Sequence, residues 1–397
     1  MDPMASRLRI LERLRRQEMS RTELAQKIGL GQATVSGIVK ELVACSLLRE
    51  SRVASDTRGR PRVALSQNPG ALLVAGAFVY SGGAVDLRIS DMAGTILARV
   101  MMISPAPAAM RDIVETIAMA FDTAMQVSGD NPLTRRPTAI GVSLPAMIDA
   151  AKGQVHWLPP HPPCVEPVAQ WLTNRIGIPA FIDNVGNIIA LAERWFGNEA
   201  FDDNLCVVVV ATSVALGQFV GGAIYRGAHS INAEIGHAKT GINAQAPCPC
   251  GAHGCLWLVA GLSGMASRAI ALGLWDGDPN DRYAACMAQL SMLAKDGNDQ
   301  ARLLLAEAGT ALGIALANHI GSWDPSRLLV LAEDEYWAQD VLPGVLATIQ
   351  SNLPLPARGI TVIDARRADP DLQILGTLAL ALDHIFRAPD LGIFLPR

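Results

Sequence analysis

Hydrophobic positions change their spacing along the chain, and the change divides it. Between residues 4 and 17, Leu8, Leu11 and Leu14 recur at helical spacing among arginines. Ser20 followed by Glu23 has the form of a capping box, which predicts a second helix running to Ile28 and stopping at Gly29. A third helix is predicted from near Gln32. Its Val35, Ile38, Val39 and Leu42 follow i, i+3, i+4, i+7 and make one buried stripe. That stripe leaves Gln32, Thr34, Ser36 and Lys40 facing outward. Two short helices joined by a glycine turn, the second with small polar side chains near its start, form a helix-turn-helix able to enter a major groove. The following "RESRVASDTRGRPRVAL" reads as a hairpin with a flexible tip, the wing of a winged helix.

From about residue 70, apolar runs alternate with helical stretches, as in an α/β fold. "ALLVAGAFVY", "AVDLRISDMAG" and "ILARVMMIS" predict a strand meander, and "MRDIVETIAMAFDTAM" a helix. "TAIGVSLPAMID" reads as strand and loop, and "PVAQWLTNRIGIPAFIDN" as a helix running into a strand. "LCVVVVATSVALGQFVGGAIYRG" reads as a hairpin-like pair. "ARLLLAEAGTALGIALANHIGSWDPSRLLVLAED" reads as a long helix and a strand. The proline-rich Trp157–Pro167 reads as a rigid loop beside a ligand cleft. The apolar runs Ala71–Tyr80 and Leu205–Val220 fall short of the roughly 18–20 residues that span a bilayer, so buried strands are expected there and no membrane span. No signal peptide is apparent.

Charge sharpens the division. Residues 1–70 hold 13 Lys/Arg against 7 Asp/Glu, a balance of +6, whereas the remainder holds 20 against 30, a balance of −10. A basic head on an acidic body suggests that only the head meets a polyanion. Within the wing, Arg58 and Arg60 of "RGRP" suit a narrow A/T-rich minor groove, where the negative potential is deepest. Double-stranded DNA is therefore the expected partner of Gln32, Thr34, Ser36, Lys40, Arg58 and Arg60.

The seven cysteines do not form a disulfide scaffold, and a reducing cytoplasm is the expected setting. His237, Cys248, Cys250 and Cys255 are spaced H-x10-C-x-C-x4-C. Three thiolates and an imidazole complete a tetrahedral zinc shell, and a full protein shell makes the ion structural. Cys45, Cys164, Cys206 and Cys286 read as small core residues or inert thiols.

"NAEIGHAKTGINAQAPCPCGAHGCL" closely resembles the zinc-bearing signature of the repressor/open-reading-frame/kinase (ROK) family. "GVSLPAMIDAAKGQVHWLPP" resembles that family's loop before the sugar site, and "IPAFIDNVGNIIALAE" its sugar and catalytic segment. "GTALGIALANHIGSWDPSRLLVL" resembles the helix and strand of its second lobe. The likeness covers about residues 70–385, and the family's repressor branch carries a winged helix in front. It implies an α/β architecture in which an N-terminal winged helix-turn-helix (1–69) precedes a two-lobed actin-like, sugar-kinase fold. The lobes would be 70–183 and 184–397, with the C-terminal helix returning to the first lobe.

The resemblance breaks where kinases do chemistry. The first phosphate loop of family kinases reads Asp-x-Gly-Gly-Thr, and "FVYSG" (Phe78–Gly82) lacks the acid. Their second reads Gly-Thr-Gly-x-Gly, and "ATSVA" (Ala211–Ala215) replaces its glycines with side chains. The catalytic Asp after an Asn is Val185 after Asn184, and a valine takes no proton. Asn184, Glu234 and His237 match sugar-contacting positions, while the family's glutamate after the last zinc cysteine is Trp257, an apolar face for a sugar ring. The expected function is a non-enzymatic, zinc-bearing repressor that binds its operator as a homodimer or dimer of dimers and responds to a sugar or glycoside. A sugar kinase with a regulatory head and a repressor sequestered by a protein partner are the alternatives.

Overall fold

The computed structural model describes residues 3–53, 62–103, 109–126, 135–159, 161–197, 202–231, 234–278 and 283–391. The chain opens with helices α1 (Pro3–Arg16), α2 (Arg21–Ile28) and α3 (Gln32–Ala44), followed by strands β1 (Leu48–Val53) and β2 (Arg62–Gln67). The capping box forms as the sequence predicts: the Ser20 side chain accepts from the Glu23 N–H, and the Glu23 carboxylate accepts from the Ser20 N–H. Gly29 ends α2 in the left-handed region at φ 68°. The β1–β2 pair is antiparallel from Leu48↔Gln67 onward, and Met19 pairs with Leu65 to fasten the hairpin to the helices. The wing tip with Arg58 and Arg60 lies outside the described residues.

The first lobe contains β3 (Leu73–Val79), β4 (Val85–Asp91), β5 (Ile96–Met102), α4 (Met110–Gln126), β6 (Ile140–Ser143), β7 (Met147–Asp149), β8 (Gln154–Trp157), α5 (Val168–Ile176) and β9 (Ala180–Asp183). Its main sheet runs β5-β4-β3-β6-β9, an antiparallel meander extended by parallel β6 and β9. Helix α6 (Val185–Phe196) leads into the second lobe. There follow β10 (Leu205–Val210), β11 (Val214–Val220), β12 (Ala223–Ile224), α7 (Trp257–Ala260), α8 (Leu262–Ala271), α9 (Tyr283–Lys295) and α10 (Asp299–Trp323). The lobe closes with β13 (Arg327–Ala332), α11 (Glu335–Asp340), α12 (Leu342–Asn352) and β14 (Val362–Arg367), and its sheet runs β12-β11-β10-β13-β14. Two sheets with the same strand order, each a meander carrying parallel strands, are the two lobes of an actin-like fold.

The last helix, α13 (Leu372–Arg387), packs on β3 and β6 of the first lobe and along α6. Glycine makes the approach possible: a Cβ on Gly141 of β6 would lie 2.0 Å from the Thr377 carbonyl oxygen. In the same way Gly186 of α6 and Gly217 of β11 touch backbone to backbone, each leaving no room for a methyl group. The first turn of α6 is thereby fixed against the second lobe's sheet.

The segment read as a long helix forms α10, whose 25 residues are long and apolar enough to cross a membrane by length and composition. Most of its apolar stretch is buried inside the chain, chiefly against α9 and α12. One finding departs from the sequence reading: the head is not merely tethered. Leu8, Leu11, Leu24, Val35 and Leu65 share one buried cluster with Ile189 and Trp195 of α6 and with Leu378 and Phe386 of α13.

Candidate functional site: metal loop, interlobe cleft and DNA-reading face

The metal loop is built by tight turns. Cys248 N–H donates to Ala252 O at 2.8 Å and Gly251 N–H to Cys248 O at 2.9 Å, while Lys239 pairs with Cys255 as an isolated bridge. Gly251 and Gly254 take φ of 86° and 63°, which favours glycine, and a Cβ on Gly254 would lie 2.8 Å from Ala244 Cα. These turns bring one ligand atom each from His237, Cys248, Cys250 and Cys255 within 4.8 Å of one another. Cys250 Sγ lies 3.7 Å from Cys255 Sγ, and Cys248 Sγ 3.8 Å from His237 Nδ1. Ligands about 2.3 Å from a central zinc stand roughly 3.8 Å apart on a tetrahedron, so the four fit that ion.

Charge fits as well. Three thiolates and a neutral imidazole leave a zinc site with one excess negative charge, and the Lys239 ammonium donates to Cys255 Sγ at 2.7 Å. Burial and the neighbouring Lys239 hold the His237 imidazole below its ordinary pKa, which keeps it in the neutral form a metal needs. Trp257 Nε1–H donates to Cys248 Sγ at 3.3 Å. The indole is thus tied to the loop rather than standing free over the cleft.

His237 turns Nδ1 toward the cysteines and Nε2 toward the cleft, where Glu234 Oε2 lies 4.0 Å away. Although 36 % of the Glu234 side chain is exposed, enclosure by the protein raises its carboxyl to about 7. From the first lobe, the Trp157 ring approaches His237 at 6.4 Å between centroids, held by its Nε1–H donating to His161 O at 2.9 Å. Opposite, Asn184 caps α6, its Oδ1 accepting from Asn187 N–H at 2.8 Å. Asp183 is fully buried and accepts from Asn187 Nδ2 at 2.8 Å and Arg226 Nε at 2.9 Å. Val185, half-buried at the first position of α6, offers no proton acceptor.

In the second lobe, one helix N-terminus is capped by the chain itself. A helix N-terminus that would otherwise present N–H groups to a phosphate is α8. Its Leu262 N–H donates to Ala211 O at 2.9 Å and its Ser263 N–H to Thr212 O at 3.1 Å, both in the β10–β11 turn. Just after β13, the half-buried carboxyl of Glu333 accepts from Gln373 Nε2, and desolvation raises it to about 7.

On the head, Gln32, Thr34, Ser36 and Lys40 are all exposed on α3, while Val35, Val39 and Leu42 face the core. The exposed face therefore offers two hydroxyls, an amide and an ammonium, the chemistry that contacts base edges and phosphates.

Residues 81–384 match the model of the ROK family. The chain belongs to the ROK family. Among curated ROK-like relatives, it is 22% identical over 377 residues to a putative xylose repressor of Caldicellulosiruptor sp. (strain Rt8B.4), covering 94% of each chain. Among solved structures, it superposes on a ROK family transcriptional regulator, a homolog of the E. coli MLC protein, with a TM-score of 0.76 at 19% identity, covering 97% of both chains. A ROK hexokinase from Thermus thermophilus superposes with a TM-score of 0.63 at 22% identity, covering 79% of this chain and 100% of that one. The ROK regulator is matched along the whole chain. The ROK hexokinase leaves about a fifth of this chain unmatched.

Three contributors to this ROK site escaped the sequence reading. Lys239 carried a signal, a lysine two residues from a metal ligand, that charge bookkeeping alone could have used. Trp157 lay inside the loop expected beside the cleft, but its contact with His237 joins positions far apart in the chain. The closure of α8 by the β10–β11 turn is backbone geometry, which residue types do not announce.

Proposed function

We propose that this chain is a sequence-specific DNA-binding transcriptional repressor of ROK type, controlled by a sugar or glycoside in the interlobe cleft and without kinase activity. The observation that carries the reading is a head with an exposed polar α3 face seated on a sugar-kinase body whose catalytic position is Val185. The full-length match to a ROK transcriptional regulator and the repressor name of the curated relative support it. In this reading Gln32, Thr34, Ser36 and Lys40 enter the major groove, and Arg58 and Arg60 the minor groove. Asn184, Glu234, His237 and Trp257 border the effector, with Trp157 added from the opposite lobe. His237, Cys248, Cys250 and Cys255 hold a structural zinc that fixes His237 and Glu234. The protein acts in the cytoplasm as a homodimer on a palindromic operator, because a two-fold protein reads two half-sites.

Fluorescence anisotropy on the DNA upstream of the chain's own coding region tests this. Binding should weaken steeply with salt, and Lys40→Ala should reduce the slope of log K against log salt by about 1. Absence of salt-sensitive binding there would reject the reading. The similarity to a ROK hexokinase keeps one competitor, a kinase with a regulatory head. ATP consumption with xylose or glucose above the no-sugar background would favour it.

A further inference from the structure

Helix α1 belongs to the DNA-binding head by sequence position, yet its polar side chains reach both halves of the body and the reading helix. Arg7, 6 % exposed, donates from Nη1 to Ala388 O at 2.9 Å, and to Phe386 O at 3.3 Å, at the C-terminal end of α13. The same guanidinium donates from Nη2 to Glu41 Oε1 at 2.8 Å, on α3. Two residues further along, Arg9 pairs with Asp203, which precedes β10 in the second lobe. Glu12 is 7 % exposed and pairs with Arg194 of α6. Arg15 donates to Gly197 O, the residue that ends α6, at 3.4 Å.

These contacts are not interchangeable surface pairs. Arg194 also donates to Gly222 O in the β11–β12 turn, to which Arg387 donates at 3.3 Å, while Arg387 pairs with the buried Asp383. Arg226 sits near Asp383 and pairs with Asp183, next to Asn184 at the mouth of the cleft. Three carboxylates (Glu12, Asp383, Asp183) thus balance three guanidiniums (Arg194, Arg387, Arg226) between α1 and the cleft. A buried ion pair holds one geometry strongly, since stranding either partner leaves an uncompensated charge. Helix α6 spans this interval as a rigid element, with Asn184 at one end and Arg194 ten positions on, roughly 15 Å at 1.5 Å per residue.

We propose that α1 is the lever that couples the interlobe cleft to the DNA-reading helix. Arg194, Arg387 and Asp203 meet at Gly222, whose N–H donates to Asp203 O at 2.9 Å, so a change in the angle between the lobes moves this joint as a unit, and α1, gripped at it, moves with it. Arg7 passes the displacement to α3 through Glu41. The inference rests on the repressor reading above and adds the route of regulation.

Coupling is reciprocal, so DNA bound at α3 must alter the cleft. Hydrogen exchange of the zinc-loaded full chain, with and without the duplex from its own upstream region, reads this directly. DNA is expected to change exchange at least threefold in the first turn of α6, residues 185–189, besides protecting α3. In Glu41→Ala, which cuts the link at a partly exposed residue and leaves the body untouched, α3 protection should persist while the change at α6 falls by half or more. Arg9→Ala, on the part-buried Asp203 pair, should give a smaller loss in the same direction. DNA binding with α6 unchanged in the parent chain, or with the α6 response intact in Glu41→Ala, overturns the lever. Failure of the chain to bind DNA at all removes the repressor reading and the lever with it.

Discussion

Cys248→Ser is expected to empty the metal loop. Cys248 is buried, lies 3.8 Å from His237 Nδ1 and accepts from the Trp257 indole, so its loss removes a ligand and the anchor of Trp257 together. Changing an outer partner of a metal ligand typically costs about 10–100-fold in affinity. Losing a ligand itself should cost more than about 100-fold. Elemental analysis after gel filtration in chelator should find zinc on the parent chain and none on the variant. The parent stripped of zinc should behave like the variant: lower thermal stability, and an effector response lost because His237 and Glu234 are no longer fixed. Cys250→Ser should follow, since Cys250 stands 3.7 Å from Cys255 in the same cluster. A variant with full zinc and normal regulation would contradict the structural role given to this loop.

Arg194→Met should be the most destabilising single substitution in the head–body joint. It strands Glu12, whose carboxyl burial already pushes above its ordinary pKa despite the opposing Arg194 charge. Breaking a buried pair from one side costs about 3–5 kcal/mol. Heat denaturation should therefore show a clear fall in midpoint for Arg194→Met. Adding Glu12→Leu to it should recover most of the loss, because a buried pair replaced by apolar side chains is often neutral. Recovery would stay incomplete, since Arg194 also donates to Gly222 O. Equal stability of the single variant and the parent would show that Glu12 is not held by Arg194.

The elements were legible wherever local chemistry decides them. The Ser20–Glu23 box, the Gly29 stop and the Val35–Leu42 stripe each specify their helix within a few residues, and each forms. The metal cluster was legible because glycine and proline between the ligands leave a short loop few other ways to fold. What the sequence hides is long-range. Nothing around Glu12 marks a carboxylate destined for burial against Arg194, since an isolated Glu in an arginine-rich helix reads as solvated. The head was expected as a winged helix-turn-helix of its own over 1–69, yet its core continues into α6 and α13. The α10 segment was legible as a long helix, and it lacks the polar stripe of a surface helix because it is buried on most of its faces. The absence of glycine from Ala211–Ala215 was visible, but not that the carbonyls of Ala211 and Thr212 would occupy the N-terminus of α8.

The central claim is that one chain reads DNA with α3 and a small ligand with the cleft above Val185. A mobility-shift titration of the zinc-loaded chain on its own upstream DNA, repeated with a panel of sugars and glycosides beginning with xylose and glucose, tests it most directly. The account predicts a salt-sensitive, sequence-specific shift that at least one member of the panel changes by tenfold or more in apparent Kd, with no ATP consumed. A chain that binds no DNA, or that phosphorylates a sugar and ignores it as an effector, would contradict it.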